Sequence, residues 1–517
     1  MSELRHRLDE IAERGEPRGV DAVIAASTAE AERRIVTPLL APSRRRTPAL
    51  VMLAAVVVSA LVVGVLVLRA DDGDNRPRVN ATSNPSMTTP PTTATTTAPP
   101  STIFPPPSVD FSAVDFDHVA WIDGTALVTA SSSDTTPRVV AQGQIERPQF
   151  SADGRWIAFV QDGSLHVRRA GGDGDIDLGS SVRPFQWSPT GELLGWSAGT
   201  DGYGQLRVTD PATNTTTSIP GAGDVTDFAW SHDGRSLAVA RVVPGTATTG
   251  FEIVGADGSA TRRVVFTPPA GDALGFNLLV FAGWQPDGAA VLVWVDPGGS
   301  ASAMQDGLDL WLVPVDGSEP HLLGKTLLKR EWLQWNADGS RLAIVRGTWR
   351  GVYDGARTVT VCRTDGDCTP ISGDDVATMD PAWSPDGLQI AYVSKPATQP
   401  MPEVRNNKAN WRALYAARTL WIANADGSDA HPVDAAGGGV ASPRWTRDGA
   451  RILYVRDDAL WAVDLAGRTE TNVLGPIAPV PQFQYGYRSN LAPPDAPYEA
   501  GSNNGYPTWE SLVTWTP

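Results

Sequence analysis

The chain has 517 residues, of which 19 % are charged, and it contains 50 glycines, 42 prolines and a formal net charge of −16. This length exceeds what one ordinary hydrophobic core accommodates, so several segments or one large repeat fold are expected. The abundance of turn-forming residues favours a β-rich protein. The negative charge argues against a nucleic-acid partner, because phosphate binding needs clustered Lys and Arg.

Residues 1–46 are polar and predict a helical tail. Leu4, Leu8 and Ile11 follow helical spacing, and Gly15 and Pro17 end the run. Two interpretations stay open, a cytoplasmic docking segment and a short solvated tail, and the second is favoured. The tail contains no cysteine, so a zinc-type anti-sigma domain is not supported.

Residues 47–69 predict one transmembrane helix. The stretch 49–68 is uncharged and apolar over about twenty residues, the length needed to cross the hydrocarbon core. Arginines occupy positions 44–46, whereas Asp71, Asp72 and Asp74 follow the run. The positive-inside bias therefore predicts a single-pass protein of the cell membrane with a cytoplasmic N-terminus and an extracytoplasmic remainder.

Residues 70–108 predict a disordered linker, because threonine and proline dominate and no apolar periodicity remains. Such a segment cannot bury a core and should be extended. It would hold the domain formed by residues 109–517 away from the membrane.

A Trp-Ser-Pro-Asp-Gly-type phrase, called the motif below, recurs through residues 109–517. Complete copies end at Gly154, Gly191, Gly234, Gly288, Gly339, Gly387 and Gly449. An apolar strand follows each copy, and several of the next strands end in Asp-Gly, which supplies the positive φ of a tight hairpin turn. A period of about 50 residues with short strands indicates a β-propeller. We interpret the motif tryptophans as structural wedges between neighbouring blades: Trp187, Trp230, Trp284, Trp335, Trp383, Trp445 and Trp515.

The motif and its strands resemble the WD40-like propeller repeat of the TolB type, over roughly residues 117–515. This family is found in bacterial periplasmic and surface proteins and in the propellers of prolyl-oligopeptidase-like enzymes. The predominance of arginine over lysine is likewise typical of a GC-rich bacterial genome. The resemblance implies an architecture and leaves activity open, because propellers serve many functions.

The two ends of the domain predict how the ring closes. Residues 512–517 begin a motif phrase that then stops, and residues 119–141 look like the last three strands of a blade that lacks its first. Pairing of the two ends would remove exposed sheet edges. The fold class predicted is therefore all-β, an eight-bladed propeller closed by its N- and C-terminal strands, with seven blades as the alternative.

Connections after the second and fourth strands of each blade share one face, called the long-loop face below. Long segments there are residues 241–250, 268–276, 296–306, 346–357, 395–418 and 476–507. Because binding residues concentrate on loops over a rigid scaffold, this face is the predicted binding surface. Arginine beside aromatic residues favours anionic or peptide-like partners, and aromatic residues with asparagine suit sugars. The candidates are Arg346, Trp349, Arg350, Tyr353, Arg405, Lys408, Trp411, Arg412, Tyr485 and Tyr487. The alternative is that these charges are solvated and the aromatic rings pack the loops down.

Cys362 and Cys368 are the two cysteines, and they flank Asp365-Gly366, a strong hairpin signal. They could face each other across two strands. A disulfide and two free thiols remain equal alternatives, since cross-strand bridges are geometrically demanding.

The sequence contains no convincing catalytic or metal-binding set. Gly195-Trp-Ser197-Ala-Gly199 matches G-x-S-x-G, but no helix follows the serine as a nucleophile elbow requires. Asp173, Asp175 and Asp177 alternate like the start of a calcium loop without its glycine and glutamate. We therefore predict no catalytic residues, no metal and no cofactor.

Three functions remain in contention. The leading hypothesis is an extracytoplasmic, membrane-anchored scaffold that binds a protein, peptide or glycan. The second is a transmembrane sensor or regulator that signals through residues 1–46. The third is an extracytoplasmic hydrolase or lyase with its site in the propeller mouth.

Overall fold

The computed structural model describes residues 107–180, 182–199, 204–221, 224–242, 250–259, 261–266, 277–297, 307–347, 357–397, 416–477, 483–484, 487–488 and 513–516. The predicted tail and membrane helix, and the predicted linker as far as residue 106, lie outside these residues. Within the described residues, no helix is long and apolar enough to span a membrane.

The strands of the described residues divide into eight successive units of four, six as separate sheets and two within one eight-stranded sheet, numbered here in chain order. Unit 1 contains β1 (His118–Asp123), β2 (Ala126–Ser131), β3 (Asp134–Gln142) and the C-terminal β34 (Val513–Trp515). Unit 2 contains β4 (Ile145–Phe150), β5 (Trp156–Gln161), β6 (Ser164–Arg169) and β7 (Ile176–Ser180). Unit 3 contains β8 (Val182–Trp187), β9 (Leu194–Ala198), β10 (Gln205–Asp210) and β11 (Thr215–Ser218). Unit 4 contains β12 (Asp224–Trp230), β13 (Ser236–Val242), β14 (Gly250–Gly255) and β15 (Thr261–Val265).

The second half of the chain continues the pattern. Unit 5 contains β16 (Asn277–Trp284), β17 (Ala290–Pro297), β18 (Leu308–Pro314) and β19 (His321–Thr326). Unit 6 contains β20 (Gln334–Trp335), β21 (Arg341–Arg346), β22 (Thr358–Arg363) and β23 (Cys368–Pro370). Unit 7 contains β24 (Val376–Trp383), β25 (Gln389–Pro396), β26 (Thr419–Asn424) and β27 (His431–Pro432). Unit 8 contains β28 (Ala441–Trp445), β29 (Arg451–Arg456), β30 (Ala459–Asp464) and β31 (Thr469–Leu474). A hairpin follows, formed by β32 (Phe483–Gln484) and β33 (Tyr487–Arg488), and 3₁₀ helices span Phe111–Ala113, Arg330–Trp332 and Asp434–Ala436.

Each unit is an antiparallel sheet whose strands pair in chain order, except that β34 supplies the first strand of unit 1. Units 5 and 6 belong to one sheet, because Thr326 at the end of β19 pairs with Arg346 at the end of β21. A succession of four-stranded antiparallel units, each from one sequence repeat, is the architecture of a β-propeller. The all-β propeller prediction is therefore confirmed for the described residues.

The second strand of each unit carries much of the core. In β5, Trp156 to Val160 are all buried, and in β29 the four residues between Arg451 and Arg456 are buried. A strand covered on both faces by neighbouring sheets needs apolar side chains at successive positions. This is why these strands read as continuous apolar runs.

The motif folds into the tight turn between the first and second strands. Ser384 Oγ donates to the carboxylate of Asp386 at 2.6 Å and accepts from the amide of Gln389 at 2.9 Å. Gly387 has φ 69°, a conformation that other residues adopt at a steric penalty. The motif is thus a self-contained turn.

The motif tryptophans join neighbouring units through what we call the indole clasp. In five of them, the indole N–H donates to the carbonyl of the residue just before the motif aromatic of the preceding unit. The pairs are Trp187 with Gln149, Trp230 with Gln186, Trp284 with Ala229, Trp383 with Gln334, and Trp445 with Ala382, at 2.8–3.0 Å.

The two ends of the domain meet in unit 1. Val119 pairs with Trp515 and Trp121 pairs with Val513 in antiparallel register. The amide of Thr516 also donates to the carbonyl of His118 at 3.0 Å. The C-terminal strand therefore occupies the first-strand position that residues 118–142 lack.

Cys362 and Cys368 form a disulfide across β22 and β23, where they are directly opposed. Cys362 is fully buried. The bridge ties the outermost, three-residue strand of unit 6 to its neighbour.

Candidate functional site

Of the binding candidates read from the long loops, Arg346 is the one whose side chain the structure describes. Its Nε donates to the carbonyl of Leu323 at 2.7 Å, and partial burial lowers the pKa of its guanidinium. Tyr487 lies in β33, where the backbone alone is described. The other candidates lie outside the described residues: Trp349, Arg350, Tyr353, Arg405, Lys408, Trp411, Arg412 and Tyr485.

The ends of the predicted basic loop at residues 395–418 are well buried. Lys395 is 5 % exposed and Arg418 is 2 % exposed. Long cationic side chains at such depth are retained only with compensating contacts. We therefore assign these two residues to holding the loop ends in place.

Ser197 of the G-x-S-x-G match lies within β9, with 1 % of its surface exposed. Its position in the middle of an antiparallel hairpin differs from the strand–turn–helix of a nucleophile elbow. Among the described residues, its hydroxyl has no hydrogen-bond partner. The geometry therefore gives no support to Ser197 as a nucleophile.

The alternating aspartates of unit 2 make local contacts. Asp175 lies 3.1 Å from both His166 Nδ1 and Arg168 Nε, and Asp177 accepts from the amide of Gly179 at 2.8 Å. In the described part of the chain, no group of three or more His, Cys, Asp or Glu side chains could hold a metal ion.

Unit 6 departs from the repeat at its first strand, the strand that lines a propeller's central channel. β20 has two residues, whereas β24 in the next unit has eight. The 3₁₀ helix Arg330–Trp332 takes the place of the missing strand. It lies on the connection from β19, at the long-loop end of the channel.

Arg330 reaches from this 3₁₀ helix to both preceding units. Its Nε donates to the carbonyl of Phe281 in unit 5, and its second terminal nitrogen donates to Asp227 in unit 4, both at 2.9 Å. Asp227 also accepts from the amide of Phe281 at 2.8 Å. Burial, the largest influence, raises the pKa of the Asp227 carboxyl, while Arg330 and the amides of Phe281 and Phe228 act in the opposite direction.

Trp332 makes the corresponding contact to the following units. Its indole N–H donates to Asp380 in unit 7, and the other oxygen of Asp380 accepts from the amide of Ser442 in unit 8 at 3.1 Å. Asp380 and Ser442 have φ of 51° and 50°, and each precedes a proline. Backbone held in this region by its surroundings often marks a functional site.

These contacts share one sequence position, three residues before the motif tryptophan. Asp227, Phe281, Trp332, Asp380 and Ser442 all occupy it. With Arg330, they form two hydrogen-bonded groups that the 3₁₀ helix Arg330–Trp332 connects, from unit 4 to unit 8. We call this set the channel belt. Its two carboxylates are already engaged by N–H donors, which suits a brace better than a proton-transfer pair.

Cations surround the indole of Trp332. Lys329 Nζ lies 4.8 Å and Arg357 Cζ 5.5 Å from its ring centroid. Lys329 also lies 3.4 Å from Glu331. Arg330 keeps 44 % of its side chain exposed while Asp227 keeps 8 %. The belt therefore presents a partly accessible guanidinium that Asp227 and the carbonyl of Phe281 hold in place.

The channel belt is not predicted from the sequence, although the sequence carries one signal of it. Residues 329–331 are Lys-Arg-Glu, where the neighbouring unit has the buried, uncharged residues Ala377-Thr-Met379 of β24. A charged triplet in place of a buried strand could have marked unit 6 as exceptional.

No family model and no curated protein sequence matches the chain. Among solved structures, it is similar to dipeptidyl peptidase 4 of Porphyromonas gingivalis, with 12 % identity and a TM-score of 0.46, over 72 % of this chain and 59 % of that one. The chain thus spans less than two thirds of the peptidase. It is also similar to putative TolB of Agrobacterium tumefaciens, with 16 % identity and a TM-score of 0.30, over 62 % of this chain and 88 % of that one.

A third likeness is to TolB of Acinetobacter baumannii, with 15 % identity and a TM-score of 0.30, over 63 % of this chain and 80 % of that one. Similarity of this degree carries no argument about activity. The assignment of the propeller fold rests on the strand pairing of the chain itself.

Proposed function

We propose that this chain is a non-catalytic binding scaffold, a β-propeller anchored in the cell membrane that docks a protein, peptide or glycan on its long-loop face. The observation that carries the proposal is the departure of unit 6 from the repeat. Sequence positions that repeat in every unit serve the fold. Unit 6 has a charged 3₁₀ helix where the other units have a longer first strand, so this departure from the repeat needs an explanation other than the fold. Presentation of Arg330 at the channel mouth supplies one, because arginine recurs at recognition sites.

The proposal includes a closed ring of eight blades that correspond to units 1 to 8. Pairing of β1 with β34 supports it, since this pairing completes the sheet of unit 1. A ring without free inner edges holds the long loops over a rigid base. Rigid support lowers the entropic penalty of binding.

An extracytoplasmic location fits the anchor that residues 47–69 predict, with residues 70–108 as spacer. The bridge between Cys362 and Cys368 supports the same location, because disulfides persist in oxidising compartments. The peptide or glycan would reach the propeller outside the cytoplasm.

A cross-linking pull-down from native membranes tests the proposal. The intact protein is compared with a variant in which residues 398–415 and 478–507 are replaced by short Gly-Ser turns, so that the buried residues Lys395, Arg418 and Ile477 stay in place. A control carries Glu192→Lys and Glu319→Lys on the opposite face, where both side chains are exposed. We expect a partner captured by the intact protein and the control but lost from the loop variant.

Capture by all three proteins, or by none, would count against docking on the long-loop face. A variant lacking residues 1–46 separates scaffold from sensor. A scaffold keeps both its partner and its biological effect without the tail, whereas a sensor keeps the partner and loses the effect.

A further inference from the structure

The segment that precedes β1 crosses the seam between unit 8 and unit 1. At its start, Val109 forms an antiparallel bridge with Leu474, the last residue of β31, and the amide of Asp110 donates to the carbonyl of Val473 at 2.8 Å. β31 is the outermost strand of unit 8. The segment therefore begins as an addition to that outer edge, at its long-loop end.

Asp110 then turns the chain inward. Its carboxylate accepts from the amide of Ser112 at 2.9 Å and caps the 3₁₀ helix Phe111–Ala113. Behind this helix Phe116 is 4 % exposed, with its ring 5.9 Å from that of Phe111 and 5.6 Å from that of Trp515. An aromatic side chain thus fills the seam against the closing strand β34.

The end of the segment reaches the opposite face. Asp115 accepts from the amide of Arg447 in the motif turn of unit 8. Thr516 Oγ1 accepts from the amides of Asp117 and His118, both at 3.2 Å. Residues 109–117 accordingly contact the outer strand of unit 8, its motif turn and the C-terminal strand in succession.

We propose that residues 109–117 are a strap that locks the ring independently of the pairing between β1 and β34. That pairing lies within unit 1 and spans three residue pairs, and the seam between units 8 and 1 has no indole clasp among the described residues. The strap adds an edge bridge, a buried aromatic and contacts to both sides of the seam. The chain enters the domain through the strap. Tension on the preceding residues therefore acts first on the contact between Val109 and β31, the outer strand of unit 8, before it reaches β1.

Hydrogen exchange on the full-length protein in membrane discs tests the lock. Phe116→Ala is compared with Phe266→Ala, which removes an aromatic ring of similar burial in unit 4. We expect Phe116→Ala to raise the exchange rates of β1, β31 and β34 at least tenfold over those in Phe266→Ala. Equal rates at the seam in the two variants would overturn the proposal.

A cross-linking variant keeps the proposal testable if Phe116→Ala fails to accumulate. Val109→Cys with Leu474→Cys should form a disulfide on mild oxidation, detected by peptide mapping, because the two residues are bridge partners. Val109→Cys with Asn472→Cys, out of register by two residues, is the control and should stay reduced. No bridge in the first pair, or equal bridging in both, would rule out the strap.

Discussion

The seam between units 6 and 7 and the seam between units 5 and 6 are built differently. At the first, the indole of Trp383 donates to the carbonyl of Gln334 at 2.8 Å. At the second, the indole N–H of Trp335 is buried and has no acceptor among the described residues. The expected acceptor position is Gly283, which has φ 150° and lies at a shift in strand register.

The difference shows where the repeat serves the fold and where it is overridden. Between units 6 and 7 and between units 7 and 8, the indole clasp acts together with the contacts of Asp380. Between units 5 and 6, where the clasp is missing, the pairing of Thr326 with Arg346 and the hydrogen bond from Arg330 to the carbonyl of Phe281 join the units, and Arg330 extends the contact to Asp227 in unit 4. A charged contact is thus added at the seam of the unit proposed to face a partner.

The largest expected effect comes from breaking the channel belt at Asp380. Asp380→Ala leaves the indole N–H of Trp332 and the amide of Ser442 without acceptors and places alanine at a positive φ. We expect the free energy of unfolding to fall by about 3 kcal/mol, measured by urea titration. Asp380→Asn tolerates the backbone and keeps one acceptor oxygen, so about half that loss is expected. Equal losses in the two variants would refute the belt as a brace.

The second largest loss of unfolding free energy is expected from reducing the disulfide of unit 6. Opening a bridge between residues six apart costs about 2 kcal/mol by loop-closure entropy. We expect a reductant to lower the unfolding free energy by this amount and to raise hydrogen exchange in β22 and β23. The double variant Cys362→Ala with Cys368→Ala should not respond to reductant. A response in that variant would show that the effect arises elsewhere.

A smaller difference should separate two half-buried motif tryptophans. Trp445→Phe removes a donor and leaves the carbonyl of Ala382 without its 3.0 Å partner, whereas Trp335→Phe removes a donor that has no described acceptor. We expect the free energy of unfolding of Trp445→Phe, measured by urea titration, to lie about 1 kcal/mol below that of Trp335→Phe. If both variants lose the same unfolding free energy relative to wild type, the two seams are equivalent and the contrast drawn between them is wrong.

The smallest expected effect is a change in the unfolding free energy at low pH. The hydroxyl of Ser384, and then the amide of Leu388, lower the pKa of the Asp386 carboxyl from its ordinary value of 3.8. A carboxyl with a depressed pKa stabilises the folded state above its unfolded pKa, and this contribution disappears as the pH falls through the folded pKa. The stability gap between wild type and Ser384→Ala should therefore narrow below about pH 3.8.

Unit 3 supplies the control for the pH dependence expected of Ser384→Ala. There Ser188 contacts Thr190 at 3.0 Å in place of an aspartate. Ser188→Ala should lower the unfolding free energy equally at pH 7 and in acid. A pH-dependent gap for Ser188→Ala would remove Asp386 as the cause.

The sequence was informative where contacts are local or repeated. The motif turn is stabilised within five residues of Ser384, so the phrase alone predicts it. The continuous apolar run of β29 predicts a strand buried on both faces. Both features recur along the chain, and this recurrence allows them to be predicted from the sequence.

The channel belt and the strap could not be read in this way. Asp227 and Arg330 are 103 residues apart, and Asp117 and Thr516 are 399 apart. Nothing near Asp227 in the sequence indicates an arginine partner. The long-loop candidates such as Trp411 were chosen by composition, and they remain predictions because they lie outside the described residues.

Site-specific photo-cross-linking in native membranes tests the central claim most directly. One set of probes replaces Lys325 and Glu331, which are 51 % and 28 % exposed and lie at the long-loop end of units 5 and 6. The other replaces Leu388, 65 % exposed, and Glu192 on the opposite face. Docking on the long-loop face predicts the same partner attached to Lys325 and Glu331 and none attached to Leu388 or Glu192. A partner attached through Leu388 and Glu192 alone would contradict the account.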